Sequence, residues 1–135
     1  MIMAKLYRVF ISHSWDHVNA LKRLRKLLNN RGYFKVEFKE ASPDNPIKSE
    51  KNKVIRLELS NRIKTSDVVL GIAGVYASYS DWMEWELDAA IEYNIPIIGV
   101  VPWGQKNISR IVSNRAVEIV HWNTESIVAA IRRNV

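Results

Sequence analysis

The sequence contains no cysteine among its 135 residues. A disulfide framework, a thiolate nucleophile and a cysteine-ligated zinc site are therefore excluded. The three histidines are scattered, without the spacing of metal ligands. We therefore expect no metal and no resident cofactor.

Long apolar runs are also missing. None approaches the roughly 20 residues that a helix needs to cross a bilayer, and the first residues lack the layout of a secretory signal. The composition, 47% hydrophobic and 25% charged, is typical of a soluble globular protein. We expect residues 1–135 to form a single domain with a cytoplasmic location and no membrane partner.

Basic residues outnumber acidic ones, 20 against 14, and the net charge of +6 favours an anionic partner. The basic residues between 22 and 26 alternate with leucines in a predicted amphipathic helix, and those between 48 and 56 are interleaved with Glu50. Neither group is the sustained basic tract with aromatic residues that nucleic-acid binding requires. A small phosphate-bearing ligand therefore fits the charge better than nucleic acid.

Strand patterns and helix patterns alternate along the chain. Short apolar runs predict strands near residues 6–11, 34–38, 67–72, 96–101 and 117–120, and periodic segments between them predict helices, the last one with Thr124 as its N-cap. This alternation predicts an α/β fold with a parallel sheet and helices on both faces. A glycine-rich phosphate loop, a nucleophile elbow and the acidic pair of a receiver domain are all missing from the sequence.

Ligands of parallel sheets bind beyond the carboxyl ends of the strands, where the strand order reverses. This rule selects the loops after the first four predicted strands. The polar and aromatic residues that these loops bring together are Ser12, His13, Asp44, Tyr76, Ser80, Trp82, Glu86 and Trp103.

One carboxylate falls on the apolar face of a predicted helix. At about 100° per residue, Glu86 lies within the stripe formed by Trp82 and Trp85, whereas Glu84 and Asp88 point elsewhere. A carboxylate between two tryptophans has to be paired, protonated or held at a cleft. Glu86 is therefore the first candidate for chemistry; the alternative is that it caps the first helical turn or reaches the rim.

Two segments together resemble the TIR domain family: residues 9–14 (VFISHS) and the pattern Ser80-x-Trp82-x-x-x-Glu86-Leu87 after the third strand. The resemblance covers nearly the whole chain and is closest to the TIR-like branch of the Thoeris phage-defence system. It implies a flavodoxin-like, three-layer fold with a five-stranded parallel sheet. It also implies that Glu86 is the essential glutamate of the family.

Catalytic TIR domains cleave the bond between nicotinamide and ribose in NAD+, so the resemblance implies NAD+ as a substrate. Glu86 would bind the ribose hydroxyls and stabilise positive charge on the sugar. One carboxylate can suffice, because nicotinamide is already a cationic leaving group. The residues expected to bind NAD+ are Ser12, His13, Tyr76, Ser80 and Trp82.

Simpler roles stay open for three of these residues: a local cap for Ser12, a surface histidine for His13 and a core tryptophan for Trp82. Asp44 and Trp103 carry weaker expectations, and Trp103 either lines the site or packs against the last helix. Met83 stands where many members of the family have cysteine.

The product of such a reaction is ADP-ribose if water attacks, or a cyclic isomer if a group of the same substrate attacks. A stand-alone enzyme of this kind would serve anti-phage defence, assemble as a homo-oligomer and deliver its product to an effector protein. The alternatives are a non-catalytic module that signals by protein assembly, and a nucleotide sensor without turnover. Replacing Glu86 with glutamine separates the enzyme from the assembly module.

Overall fold

The computed structural model describes residues 5–14, 18–41, 47, 49, 51–74, 80–105 and 107–135. Strands and helices alternate through these residues, as the sequence predicts. In chain order they are β1 (Leu6–Ser12), α1 (Val18–Asn29), β2 (Lys35–Phe38), α2 (Asn52–Lys64), β3 (Val68–Ile72), α3 (Asp81–Glu92), β4 (Ile97–Val101), α4 (Arg110–Ser113), β5 (Glu118–His121) and α5 (Thr124–Asn134).

The five strands form one parallel sheet in the order β2-β1-β3-β4-β5. The chain moves from β1 to β2 in one direction and then returns to the other side of β1 for β3, so the strand order reverses at β1. Every residue of β3 and β4 is buried, as expected for strands covered on both faces. The predicted α/β, flavodoxin-like architecture is confirmed.

Helices cover the sheet on both faces and divide the core into two clusters. On one face, buried leucines of α1 lie in the same cluster as Ile127 and Ile131 of α5. On the other face, residues from α2, α3 and α4 form the second cluster, which includes Ile63, Leu87 and Val112. The first cluster contains residues of α1 and α5, the first and last helices. The second contains residues of α3, the helix to which Glu86 belongs.

The predicted cap of the last helix is wrong by one residue. Asn123 is the N-cap of α5, and its side-chain oxygen accepts a hydrogen bond of 3.0 Å from the backbone N–H of Ser126. Thr124 is the first helical residue instead. Asparagine and threonine both cap helices well, so the backbone geometry after β5 decides between them.

No helix among the described residues has both the length and the apolar character that crossing a bilayer requires.

Candidate active site

A serine and a glutamate from distant parts of the chain meet at the carboxyl end of β1. The hydroxyl of Ser12, the last residue of β1, donates a hydrogen bond of 2.8 Å to Oε1 of Glu86. Ser12 is fully buried and Glu86 is 9% exposed. Glu86 therefore neither caps the first turn of α3 nor reaches the rim, and Ser12 bonds to a residue of another element.

The rotation of α3 about its axis points Glu86 inwards. Met83 and Leu87 of this helix are fully buried, and they anchor the helix on the sheet. On its outer side, Glu84 and Asp88 both pair with Arg115, with the closer contact, 2.7 Å, at Asp88 Oδ1. Glu86 lies three residues after the buried Met83 and so shares the inward side, as the helical periodicity predicts.

Burial is the largest influence on the pKa of Glu86, and it raises that pKa. Removal of the carboxyl from water raises the pKa of Glu86 to about 8, the Ser12 hydroxyl opposes this rise, and the negative charge of Glu40 adds to it. Among the described residues, none forms an ion pair with Glu86. The carboxyl is therefore mostly protonated at neutral pH, and a positively charged ligand beside it would favour its ionised form.

Glu40 is a second buried carboxyl near this site, and the sequence analysis missed it. Its side chain is 2% exposed; Oε1 accepts a hydrogen bond of 3.0 Å from the backbone N–H of Ile11, and Oε2 lies 3.5 Å from Nε of Arg25. Burial raises the pKa of Glu40 to about 7, against the lowering effects of its hydrogen bonds, Arg25 and Arg62. One signal was available, because Glu40 lies just beyond the carboxyl end of β2, in a loop that the strand-end rule selects.

Trp82 lies on the first turn of α3 and is half-buried. It packs against the core cluster beneath α3, its ring centroid is 6.2 Å from that of Trp85 in an edge-on arrangement, and the guanidinium of Arg56 lies 5.5 Å from its ring centroid. Packing thus fixes the indole of Trp82, which lies four residues before Glu86 on the same helix. Contact between Trp82 and a ligand stays a prediction.

The remaining predicted residues have different positions. His13 follows Ser12 directly and is half-buried, and Ser80 is the N-cap of α3, accepting a hydrogen bond from the backbone N–H of Met83 at 3.2 Å. Trp103 is 86% exposed, so it does not pack against α5. Tyr76 and Asp44 lie outside the described residues.

Within the described ranges, no group of three or more His, Asp or Glu side chains is placed to bind a metal ion.

The family of the chain follows from its sequence. The profile of the TIR-like domain of the Thoeris protein ThsB matches residues 10–107. This chain belongs to that family. The match includes both members of the Ser12–Glu86 pair as well as Glu40, and it confirms the resemblance seen in the two sequence motifs.

Solved structures with the same fold include two that are named for nucleoside or nucleotide chemistry. A 2-deoxyribosyltransferase from the psychrotolerant bacterium Bacillus psychrosaccharolyticus is 16% identical with a TM-score of 0.65, over 92% of this chain and 95% of that chain. The CMP N-glycosidase BcmB of Clostridium botulinum is 13% identical with a TM-score of 0.57, over 95% of this chain and 99% of that one. No curated protein matches this ThsB-type chain by sequence.

Proposed function

We propose that this protein cleaves the bond between nicotinamide and ribose in NAD+, with Glu86 as the catalytic carboxylate. The observation that carries the proposal is the buried carboxyl of Glu86, bonded to Ser12 at the carboxyl end of β1. Membership in the Thoeris ThsB TIR-like family supports it. The names of the two solved structures, a deoxyribosyltransferase and an N-glycosidase of CMP, give further support to chemistry at N-glycosidic bonds.

The charge of the site favours a cationic substrate. Glu86 has a hydroxyl partner, and the described residues supply no cation to pair with it. A buried carboxylate without a counter-ion is unfavourable, and the positively charged nicotinamide ring would supply that counter-ion. We therefore expect NAD+ to bind with release of a proton from Glu86, and NADH, whose nicotinamide ring is neutral, to bind more weakly.

The reaction needs one carboxylate and no separate acid. As the bond between C1′ of the ribose and the nicotinamide nitrogen breaks, its electron pair moves to the nitrogen, and the ring leaves as neutral nicotinamide. The ionised Glu86 stabilises the positive charge that develops on the sugar. A new C1′–O or C1′–N bond then forms with water or with a nucleophile of the same substrate, and a proton lost from an O–H nucleophile passes to Glu86 or to solvent.

Further residues are proposed to complete the pocket. Ser12 keeps its hydrogen bond to Glu86 and so orients the carboxylate towards the ribose. We propose His13, Ser80, Trp82 and Tyr76 as further NAD+ contacts, with the hydroxyl of Ser80 shared with the start of α3. The product is ADP-ribose or a cyclic isomer, and we propose that it signals to a separate effector protein in anti-phage defence, from a homo-oligomeric enzyme.

Release of nicotinamide from NAD+ by the purified protein, at low and at high protein concentration, tests this proposal. The variant Glu86→Gln keeps the size of the side chain and an acceptor for Ser12, so we expect a folded protein with no release. Glu92→Gln removes a carboxylate from the exposed side of the same helix, and we expect it to behave as wild type. Mass and retention of the nucleotide product distinguish cyclisation from hydrolysis.

Two results would contradict the proposal. One is unchanged release in a folded Glu86→Gln variant. The other is the absence of release from concentrated, folded wild-type protein, which would favour the non-catalytic assembly module.

A further inference from the structure

Glu40 takes the place of β2 beside the end of β1. The last regular contact between these strands is the hydrogen bond of 2.8 Å from the backbone N–H of Lys39 to the carbonyl of Val9. Backbone groups of alternate residues point to the same side of a strand, so the N–H of Ile11 also faces β2. The chain has left the sheet at this point, and the carboxyl of Glu40 accepts that N–H instead.

This contact lies one residue from the catalytic pair. Ile11 directly precedes Ser12 in the chain, and the hydroxyl of Ser12 donates a hydrogen bond to Glu86. An unpaired backbone N–H at this buried position would be unfavourable, so the acceptor from Glu40 stabilises the end of β1. The direction of the Ser12 side chain depends on that backbone.

Cations from two helices on opposite faces of the sheet flank Glu40. Arg25 of α1 pairs with Oε2 of Glu40, and its guanidinium lies 5.1 Å from the ring centroid of Phe38. Arg62 of α2 contributes a weaker attraction and donates hydrogen bonds to the carbonyl of Lys39 and to Glu58. These arginines favour a negative charge on Glu40, and that charge in turn disfavours ionisation of the Glu86 carboxyl.

We propose that Glu40 is a positioning residue of this site: it holds the end of β1 where Ser12 bonds to Glu86, and the contacts through Ile11 and Ser12 bring a second ionisable carboxyl near that of Glu86. The inference rests on the proposed function for its catalytic meaning. Because the two carboxyls repel each other when both are ionised, they titrate as a coupled pair. A cationic ligand relieves this repulsion, so the pair favours a positively charged substrate over a neutral one.

Carbon NMR of protein labelled at the glutamate carboxyl carbons tests the charge role directly. The signal of Glu86 is assigned with Glu86→Gln and followed from about pH 4 to pH 9.5, across the range that spans ordinary and raised glutamate pKa values. We expect Glu40→Gln, which keeps an acceptor for Ile11, to lower the midpoint of Glu86 by about one pH unit. Glu37→Gln removes an exposed carboxylate from β2 and should leave this midpoint unchanged.

Wild-type protein supplies a test that needs no variant. The Glu86 carbon should show a second inflection at the midpoint of Glu40, and the amide proton of Ile11 should shift as Glu40 ionises, because it donates to that carboxyl. A single inflection for Glu86, or an equal midpoint in folded Glu40→Gln, overturns the charge role. An Ile11 amide that does not respond overturns the holding role.

The catalytic consequence has a separate readout. The acid limb of kcat/KM for nicotinamide release should move to lower pH in Glu40→Gln by the same amount as the Glu86 midpoint, and stay unchanged in Glu37→Gln. An unmoved limb alongside a moved midpoint overturns the catalytic meaning of Glu40. Absence of release from wild-type protein contradicts the proposed function alone, and the NMR titration then decides the role of Glu40.

Discussion

Replacing Glu86 with glutamine should stabilise the folded protein at alkaline pH. A free glutamate has a pKa of 4.5, whereas burial raises the pKa of Glu86 to about 8. Between these values the folded protein keeps a proton that the unfolded chain has lost. The free energy of unfolding therefore falls as pH rises through this window, and glutamine, which does not titrate, removes that loss.

The two pKa values set the size of the effect. Linkage over the whole window amounts to about 5 kcal/mol, and hydration of the ionised site makes this an upper limit. We expect the stability of Glu86→Gln relative to wild type to rise by about 2–5 kcal/mol between pH 4.5 and pH 8.5. The difference between the two pH values matters, because any packing change caused by the amide contributes equally at both.

Urea unfolding at the two pH values measures this change. Glu92→Gln, on the exposed side of the same helix, serves as the matched control and should show a far smaller pH-dependent gain. If Glu86→Gln differs from wild type by the same free energy at both pH values, Glu86 ionises normally in the folded protein and the reasoning fails. A gain would also mean that the proposed catalytic carboxyl lowers the stability of the fold under working conditions.

Two further predictions concern the partner of Glu86 and the packing of α4. Ser12→Ala removes the hydrogen bond that favours the ionised carboxylate, so the pKa of Glu86 should rise further. The acid limb of nicotinamide release should then move to higher pH, and turnover at neutral pH should fall about tenfold. An acid limb that stays at the wild-type pH would contradict this prediction. In Gly99→Ala, the added Cβ would lie 3.0 Å from Cγ1 of Val112 and 3.2 Å from Cγ1 of Ile119, and we expect a loss of about 1–3 kcal/mol in urea unfolding. Gly32→Ala, which adds a Cβ in open space, is the comparison, and equal losses in the two variants would count against overpacking.

The order of strands and helices and the inward direction of Glu86 could be predicted from the sequence. Buried strands such as β3 and β4 are continuous apolar runs, and the helical repeat sets which residues of α3 share a face. Both patterns depend only on residues that are close in sequence, so they can be recognised without knowledge of the tertiary structure. The choice between Asn123 and Thr124 as a cap was not predictable, because both residue types suit the position.

The sequence by itself determined the α/β architecture, the edge of the sheet where the site lies and the candidate carboxylate Glu86. Only the tertiary structure decided what that carboxylate contacts. Ser12 is 74 positions away from it along the chain, and Glu40 is 29 positions from the Ile11 amide that it accepts. Such contacts depend on the register of the strands, the path of the chain after β2 and the rotation of α3, which arise when the whole sheet and its helices pack together.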